Sequence, residues 1–218
     1  SMEGYYQETG RAGRDGEAAE ACLCYGLGDV VLLKQMIEQS EASEERKQLE
    51  RSKLDHLLGY CESMQCRRQV LLAGFGETYP KPCGNCDNCL TPPAAWDATI
   101  PAQKALSCVY RSGQRFGVGH LIDVLRGSEN EKVKQQGHDK LSTYAIGRDL
   151  DARTWRSVFR QLVAASLLEV DSEGHGGLRL TDASRDVLTG RRQISMRRDA
   201  VSVSAGRERS AQRTGLSV

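Results

Sequence analysis

Cys83, Cys86 and Cys89 follow a C-x2-C-x2-C spacing, and a fourth thiol, Cys66, lies upstream with sixteen residues between it and Cys83. Four thiolates close a tetrahedral site and leave no position for water or substrate, which is the chemistry of structural zinc. Two-residue spacers can fold the backbone around one ion, and Gly84, Asn85 and Asn88 supply the turn-forming residues here. The same run also occurs in iron–sulfur ligation, and thiols without any ion are the third reading. Cys22, Cys24, Cys61 and Cys108 stand outside this spacing and read as core or surface thiols.

A second constellation lies at the start of the chain. Gln7, Arg11 and Arg14 are interleaved with Gly10, Gly13 and Gly16. Glycines let backbone approach a ligand closely, and two guanidiniums three residues apart on one helical face can clamp the terminal phosphates of a nucleotide. A surface turn carrying two solvated arginines is the plainer alternative.

The elements that position these residues can be read from periodicity. Ala19 to Tyr25 reads as a strand, followed by a short helix over Val30 to Glu38 capped by Asp29. Ser40 to Glu45 is a polar hinge. Leu54, Leu57, Leu58, Cys61 and Met64 recur at helical spacing, and a new helix near Gln65 would place Cys66 at its positive end, where a thiolate is favoured. Pro92-Pro93 marks an exit. Beyond it, 103–110 and 118–125 read as helices, and Asp151 caps the clearest one, in which Trp155, Val158, Phe159, Leu162 and Val163 form the core stripe. Arg153, Arg156 and Arg160 make the neighbouring stripe. Two short strands, 167–171 and 178–180, flank Gly174-His175-Gly176-Gly177, with His175 at the tip of an ordinary solvated turn. Helices followed by a hairpin describe a winged helix. The expected fold is therefore mainly α with a small β component: a helical four-cysteine zinc-binding subdomain followed by a winged-helix domain.

The chain has 218 residues, 39% hydrophobic and 27% charged, enough to build packed cores. Its formal net charge of +1 conceals an asymmetry: residues 1–100 carry 10 Lys and Arg against 16 Asp and Glu, whereas residues 101–218 carry 20 against 13. A basic second half favours nucleic acid over a membrane surface as partner. Neither a membrane span nor an export signal is evident in the sequence, so thiols are expected to stay reduced, in the cytoplasm. Residues 191–218 hold seven arginines against two acids among many Ser, Gly and Ala, and read as a basic flexible tail. A motif so close to Ser1 suggests an excised fragment.

Four blocks carry a family resemblance. Gln7-x-x-Gly10-Arg11-x-Gly13-Arg14 looks like the last motif of superfamily-two helicases. With the zinc spacing, then Gln114-Arg115-Phe116-Gly117-Val118-Gly119 and Gly137-His138-Asp139-Lys140-Leu141, the chain closely resembles the C-terminal part of the catalytic core of bacterial RecQ DNA helicases, over about residues 3–190. The resemblance implies a fragment of an ATP-dependent 3′–5′ DNA helicase of repair and recombination, working at the bacterial nucleoid. It divides the chain into the edge of a second RecA-like lobe (1–40), the zinc subdomain (41–92), the winged helix (93–190) and the tail (191–218).

By the same resemblance Gln7, Arg11 and Arg14 belong to an ATP site, with Arg14 as the finger that stabilises charge on the transferring phosphoryl group. ATP and Mg2+ would be used only by the intact helicase, since no G-x-x-x-x-G-K-[ST] loop or DEAH-type box occurs in this sequence. Arg153, Arg156 and Arg160 are the expected DNA contacts, with Arg148, Lys140 and Arg115 flanking them. Duplex or forked DNA, the remainder of the helicase core and the tail of a single-stranded-DNA-binding protein are the expected partners of a monomer. His138 is either part of a family block or a hydrogen-bonded structural histidine. A zinc-containing winged-helix transcription regulator and a protein-docking module are the rival readings.

Overall fold

The computed structural model describes residues 1–171 and 176–199. The hairpin tip with His175 and the tail from residue 200 lie outside the described residues. Helix α1 (Met2–Thr9) starts where the Ser1 hydroxyl accepts the Gly4 amide, and it packs on the zinc subdomain through buried Met2 and the Tyr5–Tyr60 ring pair, centroids 5.2 Å apart. A turn and an extended stretch lead to α2 (Leu27–Gln39), which is antiparallel in sequence to a partner of nineteen residues, α3 (Glu44–Glu62). Ser43 caps α3 by accepting the Arg46 amide, so the polar hinge falls where the sequence places it. Lys47 Nζ donates to the Glu38 carbonyl at 2.7 Å and ties the two helices at the turn.

Residues 19–25 do not form a strand. They are irregular and mostly exposed, because among the described residues no neighbouring strand offers a ladder for their backbone. Asp29 is also one turn inside α2, not its cap: Gly26 is the cap, and the Asp29 carboxylate reaches back to accept the Gly26 amide at 2.8 Å.

After the zinc knuckle the chain enters the winged helix through β1 (Ala95–Asp97). Helices α6 (Thr99–Arg111) and α7 (Val118–Arg126) follow, numbered after two short helices of the knuckle, α4 (Arg67–Ala73) and α5 (Asp87–Leu90). A short α8 (Glu131–Gln135) and a 3₁₀ turn (His138–Lys140) lead to α9 (Ala152–Ala164). Asp151 caps α9 as expected, accepting the Thr154 amide at 2.7 Å. Trp155 and Phe159 are fully buried, and the indole N–H donates to the Gly147 carbonyl at 2.8 Å. That approach requires glycine, since a Cβ at position 147 would lie 2.6 Å from the indole. The wing is β2 (Leu168–Val170) against β3 (Leu178–Leu180), antiparallel with Val170 opposite Leu178. Gly176 lies against Val31 of α2, where a Cβ would come within 2.8 Å, so the described part of the wing beside its tip rests on α2.

The chain then makes α10 (Ser184–Leu188) and β4 (Ser195–Arg197), which pairs antiparallel with β1 so that Trp96 faces Met196. Residues 191–199 are therefore not a flexible tail. Ile194 and Met196 are buried, and Gln161 of α9 clamps the outer edge of β4, donating to the Arg197 carbonyl and accepting its amide, each at 3.0 Å. The winged helix is closed by joining its two ends.

Candidate zinc centre and DNA interface

The four cysteines singled out by spacing converge: their sulfurs all lie within 4.8 Å of one another. Each half of the knuckle ends at a helix start. Cys66 is the N-cap of α4 and Cys86 the N-cap of α5, and Gly84 bends the strap between them in the left-handed region, φ +75°. Backbone amides aim at the sulfurs, with Cys83 N donating to Cys66 Sγ at 3.2 Å and Arg67 N donating to Cys86 Sγ at 3.4 Å.

These donors have an electrostatic consequence. Burial opposes ionisation of Cys66, but the amides of Cys83 and Gln69 and the neighbouring thiols outweigh it and bring the group down to about 6. Cys86 is lowered for the same kind of reason. At Cys89 the Gly84 amide favours the thiolate, yet hydrogen bonds with Cys86, Cys66 and Cys83, together with burial, push it up to about 11. Four sulfurs this close cannot all shed their protons by themselves. A divalent cation supplies the missing positive charge, and the all-thiolate set fits Zn2+.

Two residues outside the ligand set hold the knuckle. Buried Asn88 donates to the carbonyls of Ser63 and Gln65 at 2.8 and 2.7 Å, where α3 ends. Arg67 grips Asp87 with two nitrogens, Nε and Nη2 both at 2.9 Å, and Nη1 donates to the Cys61 carbonyl at 3.1 Å. Sequence reasoning missed Arg67. Its only local signal is that it follows Cys66.

The N-terminal arginines take a form different from the expected helical face. Helix α1 ends at Thr9 and gives way to turns in which Gly13 (φ +70°) and Gly16 (φ +82°) are left-handed, so of the three residues only Gln7 is helical. Arg14 Nε donates to the Gly10 carbonyl at 3.2 Å, and Arg11 pairs with Glu8 at 3.5 Å. Both are exposed. They line a cleft of about 1880 Å³ that also takes in Arg68, Arg153 and Arg198. Arg198 stands over the Trp96 ring, 5.0 Å from its centroid.

Among the expected DNA contacts, Arg153 and Arg156 are exposed on α9, and Arg148 and Lys140 are exposed nearby in sequence. Arg115 faces a separate notch lined by Lys132 and Gln136, 5.2 Å from the Phe116 ring centroid. Arg160 departs from the group. Its Nε donates to Glu62 at 2.5 Å and its Nη2 to Asp199 at 2.8 Å, leaving its side chain 18% exposed. Burial works against this guanidinium, but the two carboxylates outweigh it and raise its pKa. An arginine committed to two internal carboxylates is a structural residue, not a phosphate contact.

His138 is buried and hydrogen-bonded, Nδ1 lying 2.8 Å from Nε2 of His120, with Phe116 stacked on His120 at 4.3 Å. The two family blocks at 114–119 and 137–141 thus meet in one packed aromatic cluster.

Comparison with known proteins decides the family. A "RecQ zinc-binding" family profile matches residues 27–90, and an "RQC domain" profile matches residues 92–205. This chain belongs to the RQC family of RecQ proteins. It is 45% identical over 197 residues to the ATP-dependent DNA helicase RecQ of Pasteurella multocida, covering 90% of this chain and 31% of that protein. The corresponding Haemophilus influenzae protein is 41% identical over 217 residues, covering 99% and 35%, and that of Bacillus subtilis 37% over 204 residues, covering 94% and 34%. The chain spans about a third of the length of these curated relatives.

Membership in the RecQ family settles the ion left open by the cysteine spacing: the knuckle binds structural zinc, and the iron–sulfur and free-thiol readings give way. It also sets aside the transcription-regulator reading. The RQC match extends beyond residue 190, in line with β4 belonging to the winged helix. Among the described residues no helix is long and apolar enough to cross a membrane.

Proposed function

We propose that this region is the duplex-holding part of an ATP-dependent 3′–5′ DNA helicase acting in repair and recombination. The observation that carries the reading is the cleft whose lining brings the exposed Arg11 and Arg14 together with Arg153 of α9 and with Cys83, Asn85 and Cys86 of the zinc knuckle. Arg14 serves as the finger in an ATP site completed by a RecA-like lobe pair, with Arg11 and Gln7 beside it. ATP and Mg2+ act only there, and this chain alone does not turn over ATP. Arg153 and Arg156, supported by Arg148, Lys140 and Arg115, meet phosphates of duplex or forked DNA without reading sequence. Zinc braces the two parts. The protein works as a monomer at the nucleoid, and its basic surface accepts the acidic tail of a single-stranded-DNA-binding protein. The unit boundaries supported best are 1–26, 27–92 and 93–199.

The test is a chimera in which this chain replaces the matching region of the Haemophilus influenzae helicase. Unwinding of a forked duplex is expected, and Arg14→Ala in the chimera should stop ATP turnover while leaving DNA affinity intact. Normal turnover by that variant would remove the finger assignment.

A further inference from the structure

The side chain of Glu62, the last residue of α3, is only 7% exposed and touches three parts of the chain at once. One carboxylate oxygen receives Arg160 of α9 at 2.5 Å and the Tyr25 hydroxyl; the other receives Arg197 of β4 at 3.0 Å. Asp199 closes the network, 2.8 Å from Arg160 and 3.5 Å from Arg197. Two guanidiniums and two carboxylates thus neutralise one another, and the Arg160 guanidinium also lies 5.8 Å from the Tyr25 ring centroid.

The placement is specific. Tyr25 belongs to the irregular stretch that follows the turns carrying Arg11 and Arg14, and it is the first residue after the arginine motif that is not exposed. Arg160 and Arg197 belong to the winged helix. Glu62 itself stands four residues before the zinc ligand Cys66, and Arg67 locks that end by donating to the Cys61 carbonyl. The apolar and glycine contacts between the winged helix and α2, such as Gly176 against Val31, resist compression but allow sliding. A buried carboxylate shared between two arginines fixes register as well as distance.

We propose that Glu62 is a positioning residue for helicase action: it holds the DNA-binding winged helix rigidly to the segment that follows the ATP-site arginines, so that movement driven by ATP is delivered to the duplex. This inference rests on the function proposed above. Glu62 touches neither nucleotide nor DNA. Its loss should therefore uncouple the two activities without abolishing either, because each site keeps its own residues.

The experiment uses the same chimera with Glu62→Gln, which keeps shape but removes the charge, Glu62→Asp, which keeps the charge, and Tyr25→Phe, which removes only the hydroxyl. Forked-duplex affinity, DNA-stimulated ATP turnover and unwinding are measured for each. Glu62→Gln is expected to unwind at least tenfold more slowly while affinity and turnover stay within about twofold, so that more ATP is spent per base pair opened. Glu62→Asp should recover most of the unwinding, and Tyr25→Phe should fall between. Unwinding that matches the parent chimera, or that falls only in proportion to affinity or turnover, overturns the proposal. A parent chimera that binds and hydrolyses ATP but never unwinds DNA overturns the helicase reading first, and the Glu62 assignment with it.

Discussion

His120 and His138 meet inside the winged helix, Nε2 to Nδ1 at 2.8 Å, each more than nine-tenths buried. One imidazole donates and the other accepts, so the contact holds only while both rings are not charged together. Burial, then the neighbouring His138 and Lys132, bring His120 down to about 4, and burial followed by Arg115 lowers His138.

The sign of the resulting pH dependence follows from linkage. Below the ordinary histidine value near 6.5 the unfolded chain takes up protons that the folded chain refuses, so stability falls as pH drops from about 6.5 towards 4. The loss attributable to His120 should reach roughly 3 kcal/mol at the bottom of that window. Thermal unfolding across pH 7 to 4 checks this, and His120→Phe, which keeps the ring against Phe116, should flatten the profile.

Cys86→Ser removes one of four zinc ligands and should abolish stoichiometric zinc, since structural zinc contributes about 10–16 kcal/mol in small zinc peptides. The damage should stay local. Helices α2 and α3 have their own ion pairs, Lys34 with Asp55 and Arg51 with Glu38, and α3 also leans on α9. Protease digestion is therefore expected to cut within residues 63–92 while 27–62 persists. Metal analysis with mass mapping of the digest decides; retained zinc and an unchanged digest would contradict the assignment.

Two arginine substitutions on one helix should behave oppositely. Arg153→Ala with Arg156→Ala should weaken DNA binding equally across sequences and reduce the slope of log K against log salt by about 2. Arg160→Ala leaves the Glu62 and Asp199 carboxylates to share Arg197 and should cost about 3 kcal/mol of stability, with little change in that slope. Denaturant titration and salt-series binding measured side by side separate the two roles.

The contrast also explains what could be read from sequence. Ligand spacing identified Cys66, Cys83, Cys86 and Cys89 because coordination imposes a local rule on residue type and interval. The 3.6-residue period identified α9 and its buried Trp155 and Phe159 because burial imposes another. Arg160 sits in the same stripe as Arg153 and Arg156, but its partners lie 98 and 39 residues away, which no local pattern reveals. Strand β4 hid in an arginine-rich stretch where only Ile194 and Met196 alternate, too short a signal against so much charge. Residues 19–25 gave the reverse error: alternation alone cannot supply a neighbouring strand.

The central claim is that this region holds duplex DNA through its basic surface without reading sequence. Fluorescence anisotropy of the zinc-loaded chain against a forked duplex, a blunt duplex of unrelated sequence and a single strand, over a salt series, tests it most directly. Both duplex-containing ligands should bind with similar affinity, and log K should fall linearly with log salt. Zinc-replete protein that binds neither duplex, or that binds one palindromic sequence far more tightly than the other ligands, would contradict the account.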